Sequence, residues 1–135
     1  MTVFIDTLAL FAILDQDDAA HASASVIWSN LIAQDEHCLT SNYVLLETNA
    51  LIQRRLGMKF VHIFEDKLVP FLNIVWVESE VHRSGLQMLR MANHRQLSLV
   101  DCVSFAICQQ ANIRSVFAFD EHFAERGFHN LGQEK

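Results

Sequence analysis

Four carboxylates, Asp6, Glu47, Asp101 and Asp120, stand in related local settings along this 135-residue chain. Asp6 ends the apolar run Val3-Phe4-Ile5, and Asp120 ends Val116-Phe117-Ala118-Phe119. Asp101 stands near the start of an apolar helical segment, and Glu47 lies inside another. Acids just past the carboxyl ends of parallel strands converge on one crevice, however far apart they are in sequence. Gathered there, they repel one another and call for a cation, so the pattern points to a divalent-metal site.

Taken singly, three of the acids have a purely structural explanation. Asp6 and Asp120 occupy positions suited to helix N-caps. Asp101, three residues after Ser98, fits a capping box. Glu47 differs, because its helix carries Tyr43, Val44, Leu45, Leu46 and Leu51 and no other charge before Arg54. Partial burial is therefore expected at Glu47, and a buried carboxylate needs a cation, a basic partner or a proton. Arg54 and Arg55 lie about two turns away along the same helix, too far for direct pairing.

The elements that bring these acids together follow from the apolar periodicity. Val3 to Asp6, His37 to Thr40, Asn73 to Val77 and Ser115 to Phe119 read as strands. Helical patterns cover Leu8 to Leu14, Ala19 to Ala33, a segment capped by Ser41 or Asn42 and stopped by Gly57, a segment from Lys59 to near Pro70, Glu80 to Asn93, and Ser98 to Ala111. Strands alternating with helices predict an α/β fold with a parallel sheet covered on both faces and right-handed crossovers.

Composition narrows the function classes. A chain that is 51% apolar predicts one ordinary domain spanning residues 1–135. No apolar stretch approaches the roughly 20 residues that cross a bilayer, and the first residues carry no charged leader head, so a cytoplasmic protein is expected. Sixteen acidic against ten basic residues give a net charge of −6, which argues against nucleic-acid binding through a broad basic surface. A cation held by four carboxylates would offset much of that deficit. Cys38, Cys102 and Cys108 form no pairing framework and are expected as reduced, buried thiols. The seven histidines make no metal-ligand spacing. His21 is expected to face solvent, and Trp28 and Trp76 to lie in the core or at an interface.

The segments Phe4-Ile5-Asp6-Thr7-Leu8, Leu45-Leu46-Glu47-Thr48-Asn49-Ala50-Leu51, Leu97-Ser98-Leu99-Val100-Asp101-Cys102-Val103-Ser104-Phe105-Ala106 and Phe119-Asp120-Glu121-His122-Phe123 resemble, in order and spacing, the PIN-domain nucleases. The resemblance runs from Val3 to about Phe123, and the small size is most similar to the VapC-type toxins of bacterial toxin–antitoxin pairs. It implies a three-layer α/β/α fold with a central parallel sheet of four to five strands. It also implies Asp6, Glu47, Asp101 and Asp120 as the catalytic, metal-binding acids, with Thr7 and Ser98 as polar supports beside them. The implied ion is Mg2+ or Mn2+, which suits hard oxygen ligands, and the implied reaction is hydrolysis of an RNA phosphodiester. Arg54, Arg55 and Lys59 form the densest basic group and could reach RNA phosphates.

Two positions depart from the family pattern. Ala118 stands where a Ser or Thr is common, and Glu121 and His122 stand where a basic residue is common, with Glu121 available as a substitute ligand. Asp120 therefore ranks last of the four acids. The resemblance further implies a cognate antitoxin and a homodimer, consistent with the surplus of apolar side chains. The main alternative is a catalytically inactive PIN-like module that binds RNA or protein. A haloacid-dehalogenase-type phosphatase would need a second Asp at position 8, which is Leu8, and a receiver domain would need an Asp after the Asn73 strand, where Val77-Glu78-Ser79 offers none.

Overall fold

A computed structural model describes residues 1–133. The first strand, β1 (Thr2–Ile5), leads into α1 (Thr7–Leu14) and α2 (His21–Ala33), and β2 (His37–Ser41) leads into α3 (Asn42–Arg55) and α4 (Met58–Ile63). After β3 (Asn73–Val75) come α5 (Ser79–Ala92) and α6 (Leu99–Gln110), then β4 (Ser115–Phe117), α7 (His122–Glu125) and β5 (His129–Asn130). All strands are parallel, in the order β3-β2-β1-β4-β5. The predicted α/β/α class is therefore observed, with five strands. Right-handed crossovers that step from β1 to β2 to β3 put their helices on one face. The return from β3 to β4 puts α5 and α6 on the other.

Each predicted strand is present, and each predicted helix except the one from Lys59 to near Pro70, with ends shifted by one to a few residues. Ser41 caps α3 by accepting from the Val44 N–H at 3.2 Å. Asn42 instead accepts from the Val77 N–H at 2.7 Å, tying the end of β3 to the start of α3. Gly57 ends that helical stretch with φ +90°, a conformation costly for any residue with a Cβ. The segment predicted as one helix from Lys59 to Pro70 is α4 followed by a wide turn at Phe64–Leu68 and a tight one at Val69–Phe71. Pro70 offers no N–H to the carbonyl four residues back, so a regular helix cannot continue through it. The sequence patterns did not reveal α7 or β5, because four and two residues are too short to show a period.

Six phenylalanines, Phe4, Phe11, Phe64, Phe105, Phe117 and Phe123, are fully buried and fill the interior on the two faces of the sheet. Helices α5 and α6 meet at Gly85, where a Cβ would lie 2.5 Å from Val103 Cγ2 and 2.9 Å from the Val103 backbone nitrogen. The three cysteines are free and buried, as expected. Burial pushes the Cys38 thiol up to about 11 and the Cys108 thiol up to about 12, so both stay protonated and unreactive at neutral pH.

One expectation is corrected. His21 is half-buried and its Nδ1 hydrogen-bonds the Ala12 carbonyl at 2.8 Å, joining α2 to α1. Of the two places expected for Trp76, the core is excluded: the residue is 68% exposed, because it follows the edge strand β3, which has one neighbour only. Trp28 does pack, edge-on against Phe71 with centroids 6.3 Å apart.

Candidate active site

Strand order determines where the acids meet. The chain walks from β1 to β2 to β3 in one direction and then places β4 on the other side of β1. Loops leaving β1 and β4 therefore diverge to opposite faces, opening a crevice at the carboxyl edge between them. Ile5 pairs with Phe117 in register, and the Asp6 N–H donates to the Phe117 carbonyl at 3.0 Å. Asp6 thus leaves β1 at the mouth of this crevice, and Asp120 reaches it three residues past the end of β4. Asp101 enters from the first turn of α6.

The carboxylates of Asp6, Asp101 and Asp120 each offer an oxygen within 4.8 Å of the other two. Among the described residues they are the only group of three or more acidic, His or Cys side chains so arranged. Asp6 occupies the N-cap position of α1 yet makes no side-chain capping bond, so capping does not explain it. Asp101 does close the predicted capping box: its N–H donates to Ser98 Oγ at 3.0 Å and its Oδ2 accepts from the Ser98 N–H at 3.1 Å. That box fixes the carboxylate while leaving it half-exposed to the crevice. Asp120 Oδ1 accepts from the His122 N–H at 3.0 Å, which orients it in the turn before α7.

Electrostatics follow from this crowding. Asp6 is 3% exposed, and burial pushes its carboxyl well above the usual carboxylate range, with Asp120 and Asp101 adding to the effect and the Thr7 backbone N–H opposing it. Burial raises Asp120 as well; the His122 N–H works against that rise and the nearby Asp101 charge adds to it. Among the described residues, the ion pairs are Met1–Glu36 and His122–Glu125, so no Lys or Arg neutralises the three acids. An all-oxygen donor set with excess negative charge fits a hard divalent cation and not one that favours thiolate or imidazole.

Glu47 reaches the crevice as expected but is not buried there. It is exposed and lines the same crevice, of about 480 Å³, but it stands outside the three-carboxylate group. The buried stripe of α3 is Val44, Thr48 and Ile52, and Glu47 sits one position off it. Of the apolar neighbours that suggested burial, Val44 is buried and Tyr43, Leu45 and Leu51 pack against the core, whereas Leu46, adjacent to Glu47, is 73% exposed. Asp120, ranked last from sequence, is inside the group. Glu121 is exposed and also outside it. Of the basic trio, Arg54 lines the crevice, whereas the Arg55 guanidinium lies over the Phe11 ring at 5.7 Å and Lys59 is exposed away from it.

Thr7 is buried and accepts from Thr48 Oγ1 at 3.2 Å, so its hydroxyl links α1 to α3 beneath Asp6. Sequence reasoning missed Asn130. Its buried Oδ1 accepts from the Ala118 and Gly132 N–H groups at 3.1 and 3.0 Å, and its Nδ2 donates to the Asp120 carbonyl at 3.4 Å. The polar support that Ala118 lacks in its side chain thus reaches this turn through the backbone. The local Asn130–Gly132 turn carries no sign of this role, because the partners that matter to the site are 10 and 12 residues away.

Comparison with known proteins agrees with the geometry. The PIN domain family model matches residues 3–129. The chain is 30% identical over 127 residues to the 23S rRNA-specific endonuclease VapC20 of Mycobacterium tuberculosis, covering 93% of this chain and 95% of that protein. The crystal structure of that VapC20, described as a Sarcin-Ricin loop cleaving toxin, superposes with a TM-score of 0.83 at 28% identity, over 93% of this chain and 95% of the other. Two more distant structures share the fold. FitAcB of Neisseria gonorrhoeae has a TM-score of 0.72 at 16% identity, covering 99% and 100% of the two chains. VapBC2 of Rickettsia felis has a TM-score of 0.69 at 12%, covering 96% and 97%. With every motif-bearing segment inside the match, the chain belongs to the PIN-domain family and is similar to its VapC endonucleases.

Proposed function

We propose that this chain is a divalent-metal-dependent endoribonuclease, the toxin of a VapBC-type pair, and that Asp6, Asp101 and Asp120 hold its ion, Mg2+ or Mn2+. The observation carrying this reading is the convergence of three carboxylates, one of them 3% exposed, with no Lys or Arg ion-paired to them among the described residues. A divalent cation bound there stabilises charge developing on a phosphodiester and makes water a better nucleophile. The chain's own residues do the rest. Ser98 and the Thr7–Thr48 hydroxyl pair hold the acids in place. Glu47, exposed on the crevice wall, accepts hydrogen bonds from entering water, and Arg54 contacts an adjacent phosphate.

The relative's activity on 23S rRNA supports a structured ribosomal RNA as substrate. A cognate antitoxin and a second copy of the chain are the proposed partners, and the exposed Leu46, Trp76 and Met91 supply apolar surface for them. The test is digestion of 23S rRNA and of its isolated loops by the purified, antitoxin-free protein, with Mg2+, Mn2+ or a chelator. Cleavage that needs the ion and disappears in Asp101→Ala supports the proposal. Binding without cleavage by the folded wild type under every metal condition replaces it with the binding-module reading.

A further inference from the structure

A second, smaller cavity opens beside the acidic crevice and shares the wall formed by His122. Its volume is about 180 Å³, and its other lining residues are Ala92, His94, Leu97, Glu125 and Arg126. The imidazoles of His94 and His122 meet edge to face, with centroids 6.5 Å apart and planes at 76°. Each is held by its own partner. His94 Nδ1 accepts from the Gln96 N–H at 3.1 Å, and His122 Nδ1 lies 4.0 Å from Glu125 Oε2. Leu97 is buried and gives the cavity an apolar floor. The Arg126 guanidinium is turned toward the protein, 4.8 Å over the Phe105 ring.

We propose that this cavity receives one unstacked base of the RNA, next to the nucleotide whose phosphate enters the acidic crevice. The inference rests on the ribonuclease reading above. Three features select a base over a phosphate. The walls are planar rings and the floor is apolar, which suits the flat faces of a base. The Glu125 carboxylate at the rim, 63% exposed and 4.0 Å from His122 Nδ1, repels a phosphate but keeps acceptor capacity for the N–H groups of a base edge. Among the described residues, Arg54 lines the crevice and not this cavity, and the Arg126 guanidinium that lines the cavity is engaged with the Phe105 ring. The two subsites adjoin, since His122 lines both and its backbone N–H holds Asp120. A metal is a poorer occupant, since His94, His122 and Glu125 do not close into a group of ligand atoms.

The test uses an RNA loop oligonucleotide series in which 2-aminopurine replaces each nucleotide in turn, bound to the wild-type protein in chelator so that nothing is cut. Quenching of the probe at one position, lost in His94→Ala and restored in His94→Phe, is the expected result. Affinity in His94→Ala should fall by about five- to a hundredfold, the range for losing one base–aromatic stack. An abasic nucleotide at the quenched position should weaken wild type by the same factor and leave His94→Ala unchanged. Equal quenching in wild type and His94→Ala, or an abasic effect that adds to the mutation, overturns the inference. Because the readout is binding, absence of cleavage in Mg2+ would remove the nuclease reading while leaving the base subsite to be judged on its own.

Discussion

At the scale of single residues, the four acids divide into three that share a space and one that faces it. On the proposed function, Asp6→Asn or Asp101→Asn should lower the rate of RNA cleavage by on the order of a thousandfold, since each replaces a charged ligand by a neutral one at an ion that contributes several kcal/mol. Glu47→Gln should cost less than either, as measured by single-turnover rates in the same buffer. Stability should respond in the opposite sense. Asp6 has a folded-state pKa raised by burial, so its contribution is fully present below the ordinary carboxylate range and is lost as pH rises through the folded value. Metal-free protein should therefore lose stability from about pH 4 upward, and Asp6→Asn should melt higher than wild type at pH 7 in chelator. Added Mg2+ should raise the melting temperature of wild type and not of the variant. A variant that melts lower than wild type in chelator at pH 7 would contradict this account.

At the scale of elements, the site depends on two joins whose outer partners, Gly85 and Asn130, lie outside the motifs. Helix α6 carries Asp101 at its start and is held against α5 where Gly85 meets Val103. Gly85→Ala gains helix propensity but pushes a methyl into the Val103 backbone, and the net loss should be about 1–3 kcal/mol, read from denaturant midpoints at constant m. The β5 strand holds the Asp120 turn through Asn130. Asn130→Ala leaves two N–H groups without their acceptor and should cost roughly 1–3 kcal/mol. Its effect on cleavage should exceed that of an equally destabilising core change such as Ile107→Val, because it frees Asp120 to move. Equal activity losses at matched stability would show that Asn130 only stabilises. Helices α3, α5 and α6 were legible because each runs for three turns or more with caps at the start or stop. The α7 and β5 segments were not, since their stability comes from partners across the sheet.

At the scale of the whole molecule, a net charge of −6 and a single crevice arginine imply that RNA is held by few phosphate contacts. Log Kobs should fall only gently with log salt, and Arg54→Gln should reduce that slope by about 0.7, the share of one phosphate contact on a single strand. An unchanged slope, measured by filter binding across a salt series, would remove Arg54 from the interface. The sequence by itself determined the alternation of strands and helices, the parallel sheet, and three of the acids placed after strands or at a helix start, because these depend on local periodicity and capping. Glu47 shows where that logic stops: nearby apolar residues predicted burial, but the packing of α3 on Val44, Thr48 and Ile52 turned it outward. Only the tertiary structure decided which carboxylates meet, that Asn130 reaches the Asp120 turn, and that two histidines 28 positions apart wall one cavity. The reversal of strand order at β1 and β4 produced each of these, by bringing together loops whose separation in sequence carries no trace of their distance in space.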